Sequence, residues 1–441
     1  MRLKTHASAL GASGSFALAL VLALPAASSA SAATHRVLHS FCQVALCADG
    51  YAPSAGLVRD ADGNLYGTTA GGGANGAGEV FELLRDGSSW DFKIIYSFCA
   101  QADCADGGFP AARLIMDTSG NLYGTNNGLI GGSVFELVPN ADRSKWSLTT
   151  LHAFCVTQNC TDGLVPLALS YRGQQSGSFY DGVSALFGTT QLGGTGLGGT
   201  VYTLKPPVHG KTAWKEKILY NFCSQANCAD GNRPSSGVTL DARGNLYGTT
   251  AAGGATGTSG ESEGILYELS SGSWNETILY SFCQQAECKD GETPNGTLVL
   301  DANGSLWGEA GGGKVTHNQY GGVVYSWNIL ENVVHTFCDA KGCSDGQSPA
   351  GGLSIDADGD VFGVTDGGPA AKGNGSVFEF AGGTAFATLQ AFCGNGHKCK
   401  AGEFPNGDLI ADGSGNLFGT TGSGGENSHG HTGGTIFELT P

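Results

Sequence analysis

The sequence predicts an all-β chain: a seven-bladed β-propeller of four-stranded antiparallel blades, closed by an N-terminal strand pairing with the last blade. Three observations predict it. Cysteine pairs recur down the chain at a near-constant interval, each interval reads as four short strands, and the two chain ends copy complementary strands of the repeat.

The pairs are Cys42/Cys47, Cys99/Cys104, Cys155/Cys160, Cys223/Cys228, Cys283/Cys288, Cys338/Cys343 and Cys393/Cys399, which uses all 14 cysteines. First cysteines lie 57, 56, 68, 60, 55 and 55 residues apart, so the 441 residues form one ring or stack rather than two or three ordinary domains. Each pair is expected to form a disulfide within its own repeat. A structural zinc site is the alternative, but it needs four ligands, and no second Cys or His pair recurs at a fixed offset.

Within the first repeat, residues 56–60 read as a short strand and Ala61 to Asn64 as a tight turn. Residues 65–69 (LYGTT) are the hairpin partner, and a glycine-rich loop runs from Ala70 to Gly78. Residues 79–83 (EVFEL) alternate as a third strand, residues 85–88 turn, and residues 90–98 (WDFKIIYSF) alternate as a fourth. The same period would allow a solenoid. A four-stranded meander cannot, however, supply one rung of a stack without exposing its edges. At the ends, residues 37–41 (VLHSF) copy the fourth strand and residues 435–439 (TIFEL) the third, so each offers what the other lacks.

Residues 1–32 read as a signal peptide. Arg2 and Lys4 form a basic start, residues 16–24 (FALALVLAL) an apolar run, and Ala30 to Ala32 a small-residue cleavage site. The propeller then occupies 33–441. No stretch of the mature chain approaches the roughly 20 apolar residues of a membrane span. The expected location is secreted, extracellular or periplasmic, which suits paired cysteines. The formal charge of −17 becomes −19 once Arg2 and Lys4 are removed, which disfavours nucleic acid and anionic membranes as partners. No cofactor fingerprint is present, no metal site is assigned, and a monomer is expected.

The unit Gly63 to Thr69 (GNLYGTT), repeated at Gly244 to Thr250, followed by a Gly-Gly loop and then V-F-E-L, resembles the GloVer (Gloeo-Verruco) tandem repeat of secreted bacterial proteins. The motif recurs at Gly120 to Asn126, Ala185 to Thr190 and Gly415 to Thr421, and the resemblance covers essentially the whole mature chain. It implies a secreted repeat protein and no particular activity. Members often carry a C-terminal sorting segment, whereas Pro441 directly follows the last strand-like run here. A looser likeness, to propellers with a Gly-Asn-Leu-Tyr hairpin such as the NHL and gluconolactonase-like groups, implies blade geometry only.

In such a ring the glycine-rich loops and the cysteine-bearing crossings share one face, while the short turns share the other. Binding residues concentrate on loops held by a rigid scaffold. On the loop-rich face each crossing carries an acid before a glycine: Asp49, Asp106, Asp162, Asp230, Asp290 and Asp345, with Ala401 breaking the series. These six could ring a cation or a cationic ligand, or each could cap its own Asp-Gly turn. The Asp-x-x-Gly-Asn turns resemble fragments of calcium loops but lack the 12-residue EF-hand pattern.

Departures from the repeat single out blade five. There Gly308-Glu309-Ala310 replaces Gly-Thr-Thr near a loop bearing Lys314, His317 and Tyr320, which makes Glu309 a candidate catalytic acid and His317 and Tyr320 candidate binding residues. His429 and His431 offer two ligands, too few for a secure metal site. Blade three lengthens its first hairpin (Tyr171 to Ser184) and gathers Lys205, Lys211, Lys215 and Lys217. With no G-x-S-x-G and no H-E-x-x-H, the expected function is noncatalytic binding of a glycan or protein ligand. A propeller hydrolase or lyase acting on a polysaccharide or lactone is the alternative, since such sites are assembled from separate blades. A structural surface protein is the third reading.

Overall fold

The computed structural model describes residues 33–441 apart from 129–130, 157–158, 208–212, 257–262, 313, 316–318, 340–341, 369–373, 394–398 and 427–432; the signal-like segment lies outside the described residues. Seven antiparallel sheets follow one another in chain order. Blade one runs outward through Val58–Arg59, Leu65–Thr69, Glu79–Asp86 and Ser89–Ser97. The seventh is composite. Glu403–Ala411, Leu417–Ser423 and Thr435–Thr440 come from the C-terminus, and Thr34–Ser40 completes it as the outer strand, with Val37 opposite Phe437 and Ser40 opposite Thr435. The pairing covers the edge that Thr435–Thr440 would otherwise leave open.

Strand bounds in blade one differ from the sequence reading, the first shortening to Val58–Arg59 and the fourth running Ser89–Ser97. The third strand of blade one continues to Asp86, which pairs with Ser89, so the turn shrinks to Gly87 and Ser88. The innermost strands of blades five, six and seven extend over Glu292–Leu300, Gln347–Ile355 and Glu403–Ala411, each with a register break. Those breaks fall at glycines where neighbouring strands crowd the axis. A Cβ on Gly407 would meet the backbone of Ala55 and Gly56, one on Gly351 would meet Gly407, and one on Gly296 would meet Gly352. A glycine waist lets the innermost strands of blades five, six, seven and one touch.

The blades are locked together by one repeated junction. The glycine before each third strand accepts a hydrogen bond from the phenylalanine that precedes the next crossing, as in Phe41 N–H to Gly434 O (3.0 Å) and Phe282 N–H to Gly264 O (3.0 Å). The same glycine lies against the Cδ of the next blade's first proline: a Cβ on Gly434 would sit 2.6 Å from Pro53 Cδ, and φ there is +93°. A larger residue meets both a steric and a conformational barrier. The phenylalanine then buries its ring in the following blade. Phe98 meets Phe135 at 5.2 Å and Phe222 meets Tyr267 at 5.0 Å between ring centroids, within the range of favourable aromatic pairs.

The long hairpin of blade three does not stand free. Tyr180 is fully buried, exchanges backbone hydrogen bonds with Met116 and Thr118 (both 3.0 Å), and sets its ring edge-on to Tyr123, so the insertion folds onto blade two. Among the described residues no helix is long and apolar enough to cross a membrane.

Candidate functional site

Each crossing on the loop-rich face is a small staple. Disulfides join Cys42–Cys47, Cys99–Cys104, Cys155–Cys160, Cys223–Cys228, Cys283–Cys288, Cys338–Cys343 and Cys393–Cys399, and no cysteine is free. Where a cysteine pair approaches Glu292 or Glu403, its sulfurs are therefore already bonded to each other rather than available to a metal.

The six aspartates are spent inside these staples. Asp49 accepts from Gln43 N–H (2.8 Å) and Val44 N–H (3.1 Å), Asp106 from Ala100 N–H (3.0 Å) and Gln101 N–H (3.1 Å), Asp230 from Ser224 N–H (2.9 Å) and Gln225 N–H (3.2 Å). Asp290 accepts from Gln284 N–H (2.7 Å) and Gln285 N–H (3.1 Å), and Asp162 and Asp345 accept from Cys155 N–H and Cys338 N–H (3.1 Å each). Several have a second partner ten residues earlier on the outer strand. Tyr96 and Tyr280 donate phenol protons to Asp106 and Asp290 (2.7 Å each), and the His335 ring meets Asp345 at 3.1 Å. Each carboxylate thus caps its own loop.

The short-turn face is equally self-satisfied. Asp60 accepts from Asp62 N–H, Asn64 N–H and the Asn64 side chain (2.8–3.0 Å). The Tyr66 hydroxyl, fully buried, donates to Glu82 (2.7 Å) and receives a hydrogen bond from Arg143 of blade two (2.9 Å). Burial and the two neighbouring carboxylates raise this phenol far above its ordinary pKa.

A ring that the sequence reading did not single out surrounds the mouth of the loop-rich face. The residue before the proline that follows each crossing has positive φ, though none is glycine: Ala52, Phe109, Val165, Arg233, Thr293, Ser348 and Phe404, with φ between +45° and +59°. A residue preceding proline is normally extended, so the conformation is held from outside. Its holder is a backbone bond to the previous blade. Phe109 N–H reaches Ala77 O, Ser348 N–H reaches Gly321 O and Phe404 N–H reaches Asn374 O, all at 2.7 Å, and the other four are 2.8–2.9 Å. The side chains are turned out: Phe109 is 46% and Phe404 39% exposed. Blades seven, one, two and three present Phe404, Ala52, Phe109 and Val165, an apolar arc. Blades four, five and six present Arg233, Thr293 and Ser348, a polar one. The signal was in the sequence as a proline at a fixed offset after the Asp-Gly of the first six crossings and after Ala401-Gly402 of the seventh, preceded by a residue type that varies from repeat to repeat. A cavity of ≈190 Å³ opens beside Phe109, between Asn75 to Ala77 of blade one and the Cys99–Cys104 staple.

Deeper along the axis, unlike polar groups converge. Arg113 of blade two forms an ion pair with Asp408 of blade seven. The pair passes over Gly56 of blade one, where any Cβ would fall on the Asp408 carboxylate. Glu309 stands where Thr189 and Thr420 use their hydroxyls to bridge to the next blade. It accepts from Gly352 N–H of blade six (3.1 Å), its other oxygen has no hydrogen-bond partner among the described residues, and its side chain is completely enclosed. Burial, with a smaller contribution from the Asp408 carboxylate and against the Gly352 hydrogen bond, pushes its pKa up to about 8. Glu79, enclosed beneath the first staple, is likewise pushed up to about 8 by burial and then by Asp49. Among the other candidates, Tyr320 belongs to a backbone hairpin pairing Lys314–Val315 with Gln319–Tyr320. His317, Lys211, His429 and His431 lie outside the described residues.

A model of the Gloeobacter/Verrucomicrobia repeat matches residues 26–184 and 256–441. The chain belongs to that family. No functionally curated protein was found to resemble it in sequence. Similar solved structures include a gluconolactonase-like protein (10% identity, TM-score 0.38, 92% of each chain covered) and the PQQ-bound aldose sugar dehydrogenase of Streptomyces coelicolor (11%, 0.40, 92% of this chain and 98% of that one). The α-L-arabinanase of Penicillium chrysogenum is a third (12%, 0.44, 74% and 92%).

Proposed function

We propose that this repeat protein is secreted and noncatalytic, and that it binds a glycan or protein ligand through its loop-rich, disulfide-stapled face. The observation that carries the reading is the pre-proline ring: seven positions with one enforced backbone conformation and mostly different side chains, on the face that holds all seven staples. A scaffold that holds backbone constant while varying the outward group is suited to recognition. Secretion is supported by the signal-like first 32 residues and by the disulfides.

The alternative, hydrolysis at the axis, draws on Glu309, which keeps its proton near neutral pH close to an Arg113-paired carboxylate. Binding is preferred because Glu309 is completely enclosed. A glycan array and a protein-ligand capture with residues 33–441 test the reading, using two variant sets. Leu46→Asp with Leu197→Asp alters exposed residues of the loop-rich face, and Ile329→Asp with Leu330→Asp alters exposed residues of the other. Binding weakened only by the first set is expected. Binding abolished only by the second set, or turnover of a bound polysaccharide, would overturn the proposal.

A further inference from the structure

Resting on the binding reading above, we propose that the sector of the axial mouth formed by blades seven, one and two is a subsite for neutral sugar units, with Phe404 and Phe109 as its walls. The three inner segments run in parallel order. At the mouth stand Phe404, Ala52 and Phe109; four residues further along the same segments stand Asp408, which lies in the strand Glu403–Ala411, and Gly56 and Arg113, which precede the strands Val58–Arg59 and Ile115–Met116. Two exposed phenyl rings therefore flank an alanine, and four residues below them an ion pair crosses a glycine. At the upper level the small Ala52 stands between the rings; at the lower level the space over Gly56 is taken by the Asp408 carboxylate.

The accessible groups favour a hydroxyl-rich guest. Arg113 and Asp408 keep part of their side chains accessible, at 34% and 18%. A guanidinium donates and a carboxylate accepts, so together they match neighbouring hydroxyls, which do both. Phenyl faces take the C–H face of a sugar, an apolar surface beside polar edges, as they take other amphipathic groups. The floor is charge-compensated and the chain carries −17, so a neutral sugar fits better than a polyanion.

Affinity electrophoresis of residues 33–441 in gels containing xylan, arabinan, mixed-linkage β-glucan or mannan tests the assignment, with bovine serum albumin as the mobility reference. At least one neutral polysaccharide is expected to retard the protein. Phe109→Ala and Phe404→Ala should each weaken that retardation at least tenfold and leave the melting temperature unchanged, since both rings are exposed. Arg113→Gln should weaken it too. Retardation unchanged in the double phenylalanine variant but lost in Leu46→Asp with Leu197→Asp would overturn this subsite and leave the face reading standing. A wild-type protein that none of the four polysaccharides retards would overturn the sugar assignment. Capture of a peptide in place of a sugar, lost in the same phenylalanine variants, would overturn the ligand class while keeping the location and the binding reading.

Discussion

Replacing Glu309 by Gln should change how the stability of the ring depends on pH. In the folded protein this carboxyl is pushed from 4.5 up to about 8, chiefly by burial. Between those values the folded state holds a proton that the unfolded state has released. Raising the pH therefore favours unfolding: the contribution is fully present below about pH 4.5 and is lost as pH rises through about 8. One group with this shift gives a slope of about 1.4 kcal/mol per pH unit, with a ceiling of about 5 kcal/mol across the window. Glutamine retains an oxygen for Gly352 N–H and cannot ionise, so Glu309→Gln removes the slope while keeping the bridge to blade six. Glu79 shifts in the same direction but is present in both proteins, so it cancels in the difference. Urea midpoints at pH 5, 6, 7 and 8 provide the assay. The wild type should lose stability relative to the variant with each step upward. Parallel curves would show that Glu309 is ionised or hydrated in the fold, and the buried-acid argument would fail.

Gly434→Ala should lower the melting temperature markedly. A left-handed φ costs a side-chain-bearing residue about 1–2 kcal/mol, and crowding Pro53 adds about 1–3 kcal/mol, while Gly87→Ala, whose Cβ would meet nothing, should show only the conformational part. Deleting residues 33–41 removes the outer strand of blade seven and the Phe41 ring that packs on Phe81, so the whole ring should melt earlier; an unchanged midpoint would contradict closure by the N-terminus.

The ring itself was legible in the sequence because its determinants are local and repeated. Leu65 to Thr69 alternates between turns and is a strand of just those bounds, and the Val37 and Phe437 segments declare their pairing by copying the strands each end lacks. The extra length of Glu79–Asp86 was hidden because Arg85, Asp86 and Gly87 look like turn residues, yet Asp86 still pairs with Ser89. The mouth was legible only in part. A proline recurs visibly three residues past the glycine of each crossing, but the inverted φ before it depends on a hydrogen bond to the preceding blade, such as Phe109 to Ala77, which no local pattern encodes. Arg113 and Asp408 are 295 residues apart in sequence and meet only because the ring closes. The aspartates show the opposite case. Their regularity fits a shared rim and a loop cap equally, because a residue repeated to serve its own loop, as Asp290 serves Gln284 and Gln285, repeats just as faithfully.

Amide hydrogen exchange with and without a retained ligand tests the central claim, recognition at the mouth of the loop-rich face, most directly. With residues 33–441 saturated by an oligosaccharide of whichever polysaccharide retards the protein, new protection is expected over residues 52–56, 109–113 and 404–408. The turns at Asp60 to Asn64 and Asp412 to Asn416 on the opposite face should exchange at unchanged rates. Protection confined to those turns, with the mouth unaffected, would contradict the account.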